Sequence, residues 1–199
     1  MKKNVCILSS LVIIVLLTMI SCATTTLNAV WKDESYQGKI TNVLVIGVSK
    51  QPVRKRYFED EFVKQLNARG LSATSSYRIF PSEEMLEKDT VLSKIREMGI
   101  DTVLITRMVD KKTVKTNVPG RSSSYYRAMY YEPGYTIQDE VVVLETNLYD
   151  EKSEDLIWSA QSDTVIEESH TIIKVPKERV IKNFIKRIVK KLSENNLIK

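Results

Sequence analysis

The chain has 199 residues, with 30 Lys and Arg against 25 Asp and Glu, a formal charge of +5 at neutral pH. Without Lys2 and Lys3 in the opening segment, 28 basic side chains face 25 acidic ones, a balance of +3 that requires no polyanionic partner. The two cysteines are Cys6 and Cys22, so a body downstream of Cys22 has no disulfide and must be stabilised by its core.

Lys2 and Lys3 followed by the uncharged, mostly apolar run Val5 to Ile20 have the layout of an export signal. A spanning helix needs about 20 apolar residues, with roughly 17 as the lower limit, so length alone leaves a permanent anchor open. The end of the run bears on that choice. Met19-Ile20-Ser21-Cys22 resembles a bacterial lipobox, in which an apolar and a small residue precede an obligatory cysteine. The resemblance implies cleavage before Cys22, a diacylglycerol on its thiol, and acylation of the freed amine, with palmitate among the chains. Several chains anchor stably, because each buried methylene contributes about 0.8 kcal/mol and one chain alone is marginal. Ala23 stands where Asp would imply retention at the inner membrane, so the resemblance implies the outer membrane, facing the periplasm. Ala23 to Ala29, ATTTLNA, is small and polar and reads as a tether. The expected organisation is a signal over 1–21, a lipidated tether over 22–30 and a single domain over 31–199.

Along that domain, TNVLVIGVS (41–49) is a continuous apolar run of the kind found in strands covered on both faces. A helix follows Pro52, with Phe58, Phe62, Gln65 and Leu66 near helical spacing and Gly70 as its stop. LSATSSYRIF (71–80) reads as a second strand nearer an edge. Ser82 reads as the N-cap of a second helix that runs to about Met98 and stops at Gly99. IDTVLITRMV (100–109) is a third strand, and Lys111 to Asn117 leaves room to extend it. This β-α-β-α-β order predicts parallel pairing. YTIQDEVVVLETNLYD (135–150) and DLIWSAQSDTVIE (155–167) then form an antiparallel hairpin around Glu151 to Glu154. Leu156, Trp158 and Ala160 are expected on its buried face. A last helix from Pro176 to about Ser193 carries the apolar stripe Val180, Ile181, Phe184, Ile185, Ile188, Val189 and Leu192. The expected fold is α/β: a mixed sheet of about five strands with three main helices packed on it.

The order of elements resembles that of a family of small bacterial envelope lipoproteins. The residues that carry the resemblance are the lipobox, the VLVIGVS strand, Gly99 to Leu104, Leu148 to Asp150, and Leu156 to Ser159. A more distant similarity is to the α/β domains of accessory lipoproteins, such as activators of cell-wall synthases and the curli secretion channel. That similarity concerns fold alone. The resemblance implies no particular reaction.

Chemistry is sparse. His170 is the single histidine, and neither Ser169 nor Glu167 and Glu168 beside it have the geometry of a triad or the spacing of a metal site. It reads as a surface residue. Glu59-Asp60-Glu61 and Glu83-Glu84 read as solvated helix faces, because adjacent helical residues point in different directions rather than into one cleft. No Gly-rich phosphate loop is present, Gly47 standing alone after the first strand. Lys182, Lys186 and Lys190 lie opposite the last helix's apolar stripe, so that helix covers the sheet and leaves its lysines free for a membrane surface.

The remaining feature is RSSSYYRAMYYEPGY (121–135), with five of the nine tyrosines, inside a stretch from about 110 to 135 that reads as a long loop. Tyr125, Tyr126, Arg127, Tyr130 and Tyr131 are the candidate binding residues, since Tyr combines large contact area with modest entropy cost and Arg adds cation–π contacts. Their alternative role is packing on their own domain. The expectation is a non-enzymatic, lipid-anchored binding or accessory module for an envelope protein or the cell wall. It needs no cofactor or metal and binds no nucleic acid. An oligomeric outer-membrane assembly or secretion subunit is the alternative, and a hydrolase using His170 the third.

Overall fold

The computed structural model describes residues 25–80, 88–119, 134–166 and 177–199. Its strands are β1 Thr25–Lys32, β2 Asn42–Val48, β3 Ser72–Ser75, β4 Thr102–Val118, β5 Tyr135–Asp150 and β6 Leu156–Ile166. Its helices are α1 Pro52–Asn67, α2 Ser76–Ile79, α3 Lys88–Glu97 and α4 Lys177–Glu194. The strands form one mixed sheet in the order β1-β6-β5-β4-β2-β3. Strand β2 pairs in parallel with β3 and β4, while β4-β5, β5-β6 and β6-β1 are antiparallel. The α/β reading holds. Among the described residues the sheet has six strands rather than about five, and a four-residue helix, α2, joins the three main ones.

The added strand is β1. Residues 25–30, expected as tether, pair instead with the outer edge of β6, Thr25 opposite Thr164 and Lys32 opposite Trp158. Thr25 is 1% exposed and shares a 3.2 Å hydroxyl contact with Thr164. Small polar residues look like linker in isolation, but an edge strand needs only a free backbone row to pair with.

Strand β2 shows why its sequence is apolar without alternation. Val43 and Val45 join the cluster formed with Leu104, Leu148, Trp158, Phe62 and Phe184, under α1 and α4. Leu44 between them joins Phe80, Ile95 and Ile100 on the other face, beside α3. Both faces are covered, so both sets of positions are hydrophobic. Six of the seven stripe residues of α4 are buried, and Ile181 is partly so.

Three helices stop in the same way. Gly70 and Gly99 adopt positive φ (80° and 62°), as does Asn196 (57°). The next residue's N–H reaches back five positions in each case: Leu71 to Leu66, Ile100 to Ile95 and Leu197 to Leu192. Each is a Schellman ending in which an apolar residue after the cap returns to the core.

The stretch expected as strand over 71–80 is strand only to Ser75. From Ser76 it turns helical, because Tyr77 N–H and the Ser76 hydroxyl bind the Glu59 carboxylate (3.2 and 2.7 Å) instead of a strand partner. Glu59 itself is fully buried, not solvated, and also accepts the Gly47 N–H at 2.9 Å. A Cβ on Gly47 would stand 3.0 Å from the Phe58 ring, so the missing side chain lets β2 approach α1 closely enough for that bond.

In the hairpin, the buried face is less regular than alternation predicts. Trp158 and Ala160 are buried as expected, but Ile157 is buried as well and Leu156 only half so. A register shift beside Leu148 and Tyr149 rotates the start of β6 and turns Ile157 inward.

Candidate functional site

Cys22, Tyr125, Tyr126, Arg127, Tyr130, Tyr131 and His170 lie outside the described residues, as do Ser82, Glu83 and Glu84. What the structure does describe is the element that presents the tyrosine-rich segment. The loop expected over 110–135 is strand up to Val118 and again from Tyr135. Every residue from Arg107 to Asn117 is exposed, whichever face its position selects. Thus β4 and β5 leave the domain as a two-stranded ribbon.

Register places the ribbon against the rest of the sheet. Strand β2 ends opposite Arg107, at Val48, so the outer edge of β4 has no described strand beyond that point. Strand β6 ends opposite Glu140, so the outer edge of β5 from Tyr135 to Asp139 likewise has no described strand beside it. Cross-strand ion pairs join Lys111 to Glu140 (2.7 Å), Lys112 to Asp163 (2.8 Å) and Arg107 to Glu145 (3.1 Å). These are partly exposed pairs that favour one register more than they add stability. Met108, Val109, Val114 and Tyr135 are exposed among them, at 59%, 42%, 41% and 62%. The room left for the third strand over Lys111 to Asn117 is filled, and the strand continues to Val118, although the charged run otherwise reads as loop. Its signal was the β-branched set Thr113, Val114, Thr116 and Val118.

Elsewhere, the clustered carboxylates hold the fold's own donors. Asp60 accepts the Tyr77 hydroxyl at 2.8 Å on each oxygen, together with Ser75 (3.0 Å) and Arg78 (3.3 Å). Partial burial opposes its ionisation, but those bonds outweigh it and hold the carboxyl below its ordinary range. Asp101 receives the Thr41 and Asn42 N–H groups (2.8 and 2.9 Å), fixing the start of β2 to the α3–β4 connection. Asp150 receives the N–H groups of Lys152 and Ser153, both at 3.1 Å, and so shapes the hairpin turn. Ser159 donates to Asn147 at 2.6 Å, and Trp158 Nε1 donates to Asn195 at 3.0 Å. The motif residues of the family resemblance therefore have work inside the fold. Among the described residues no group of three or more His, Cys, Asp and Glu is arranged to hold a metal ion. A surface groove of about 510 Å³ lies between α3 and Ile79-Phe80.

Among the described residues, the Tyr36 phenol is held well above its ordinary range. Burial pushes its phenol up to about 12, and the negative charges of Asp150, which accepts its hydroxyl at 3.4 Å, and Asp101 add to the shift. The raised value means the fold favours the neutral phenol: its contribution is complete below the ordinary value near 10 and is lost as pH rises toward 12. Thermal unfolding from about pH 9 to about pH 12 is expected to show an alkaline decline that Tyr36→Phe reduces. A decline of equal size in both proteins would refute that assignment.

No family model matches the chain, and no curated protein matches it. Among solved structures, the chain is similar to the PelC dodecamer from Paraburkholderia phytofirmans, at 12% identity and a TM-score of 0.49, over 83% of this chain and 95% of that one. It is similar to lipoprotein GNA1162 from Neisseria meningitidis, at 12% identity and a TM-score of 0.43, over 77% of this chain and 99% of that one. A minor lipoprotein from Acinetobacter baumannii overlaps 78% of this chain and 94% of its own, at 9% identity and a TM-score of 0.32. The structural neighbours thus include bacterial lipoproteins. Among the described residues no helix is long and apolar enough to cross a membrane.

Proposed function

We propose that this chain is a lipid-anchored accessory module of a bacterial cell envelope, acting by binding rather than by catalysis. The observation that carries this reading is Met19-Ile20-Ser21-Cys22 at the close of the apolar run, with Cys22 as the lipidated residue. An outer-membrane position facing the periplasm follows from Ala23. A binding role is supported by the way Glu59, Asp60, Asp101 and Asp150 are occupied by donors of their own fold. The contact surface is the tyrosine-rich segment that joins β4 to β5, with Tyr125, Tyr126, Arg127, Tyr130 and Tyr131 meeting an envelope protein or the cell wall.

Replacing the four tyrosines 125, 126, 130 and 131 by serine tests the contact. In-cell cross-linking of the anchored protein at matched abundance is expected to capture a partner with the wild-type chain and lose it with the variant. Identical captures from both proteins would return the tyrosines to packing on their own domain.

A further inference from the structure

The ribbon and the start of β1 lie at the same end of the sheet. Thr25, the first residue of β1, pairs with Thr164 on β6; Thr164 pairs with Val142 on β5; and Val142 pairs with Lys111 on β4. Strand β1 runs away from that level, whereas β4 continues past it to Val118 and β5 starts beyond it, at Tyr135. Seven residues of each ribbon strand therefore project beyond the start of β1. At about 3.4 Å per residue they extend roughly 24 Å further.

Only Ala23 and Thr24 separate Cys22 from β1. Three Cα–Cα steps of about 3.8 Å span at most roughly 11 Å. On the reading of Cys22 as the lipidated residue, this reach is about half the overshoot of the ribbon. The domain cannot stand clear of the bilayer with its strands upright. It must bring the ribbon onto the lipid or lie over on the β1 edge.

Surface chemistry favours the ribbon over the β1 edge, where exposed Val30 and Trp31 (37% and 51%) are followed by the acidic pair Asp33 and Glu34. Of the exposed large hydrophobic residues, Val114 and Tyr135 fall on the projecting stretch, and Met108 and Val109 come just before it on β4. They are interleaved with Lys111 and Lys112, which pair with Glu140 and Asp163, and with exposed Lys115, whose long stem suits an ammonium at headgroup level. Asp110, Asp139 and Glu140 make the ribbon too polar to cross the hydrocarbon core. We infer that residues 108–118 and 135–140 form a lipid-contacting ribbon that lies in the headgroup region of the membrane to which Cys22 is anchored. This inference rests on the lipoprotein reading, and it places any partner of the segment beyond the ribbon at the membrane surface.

The test uses the full lipidated chain. Cys6 lies in the signal and an acylated Cys22 has no free thiol, so a cysteine introduced into the domain is labelled uniquely. Val114→Cys and Lys115→Cys report on the ribbon, and Lys152→Cys on the hairpin turn at the opposite end of the sheet. Each protein, carrying a fluorophore, is reconstituted in vesicles of phosphatidylethanolamine and phosphatidylglycerol containing a lipid with a nitroxide near its headgroup. Intact mass and palmitate incorporation establish acylation beforehand. Severalfold stronger quenching at 114 and 115 than at 152 is expected. Equal quenching at all three positions, or none, in an acylated protein overturns the ribbon inference and leaves the anchor standing. Absence of acyl chains on Cys22 overturns both.

Discussion

Glu59→Ala is expected to destabilise the domain by about 3 kcal/mol or more. The carboxylate is fully buried and accepts three donors: the Gly47 N–H at 2.9 Å, the Ser76 hydroxyl at 2.7 Å and the Tyr77 N–H at 3.2 Å. Each donor stripped of its acceptor in a dry site costs about 1–3 kcal/mol. A domain with only about 5–15 kcal/mol of total stability loses a large fraction of it. The loss is local to one joint, where β2, α1 and the β3–α2 turn meet. Glu59→Gln separates the components. Its carbonyl oxygen still serves Gly47 and Ser76, while its amide group faces the Tyr77 N–H donor to donor. A smaller cost of about 1–2 kcal/mol is expected. Urea unfolding of the three proteins checks the order wild type, Gln, Ala; an Ala variant within about 0.5 kcal/mol of wild type, the range of ordinary surface substitutions, would show that the three donors have other acceptors.

The second large effect is at Trp158. Its side chain has no exposure, lies against the α4 side of the sheet, and ends in a 3.0 Å hydrogen bond from Nε1 to Asn195, just beyond that helix. Trp158→Ala is expected to cost about 3–5 kcal/mol, the range for emptying a large aromatic site that cannot collapse. Trp158→Phe keeps most of the ring contact but leaves the Asn195 carbonyl oxygen without its donor, for about 1–2 kcal/mol. Asn195→Ala in the Phe background should then add little, because the shared bond is already gone. Additive losses in that double variant would indicate that Asn195 acts through the chain end rather than through Trp158. Chemical denaturation of the single and double variants distinguishes the two.

These sites show how the resemblance motifs should be read. Gly99 to Leu104, Leu148 to Asp150 and Leu156 to Ser159 were legible in the sequence, and each has a structural role. Gly99 ends α3, Asp101 fastens β2, Asp150 organises the hairpin turn, and Trp158 ties β6 to the end of α4. A strand motif can recur because a packing joint needs those residues, without any reaction behind it.

The sequence by itself determined the α/β class, the parallel pairing of the first elements, the C-terminal hairpin and the buried stripe of the last helix. Those depend on periodicity and local stops, which neighbours in the chain specify. It also carried the resemblance of Met19 to Cys22 to a lipobox and the tyrosine cluster, because four adjacent residues and a dense composition need no fold to be seen. Only the tertiary structure decided the rest. Residues 25–30 are strand because β6 has a free edge there, and β3 stops at Ser75 because Glu59 claims the next donors. Glu59 itself, one of three consecutive acids, is buried while its sequence neighbours look equally solvated. The charged run from Asp110 to Asn117 is strand because a partner of matching register lies nineteen to thirty-three positions downstream. Each of these outcomes turns on what a residue meets across the fold, and local propensity does not encode that.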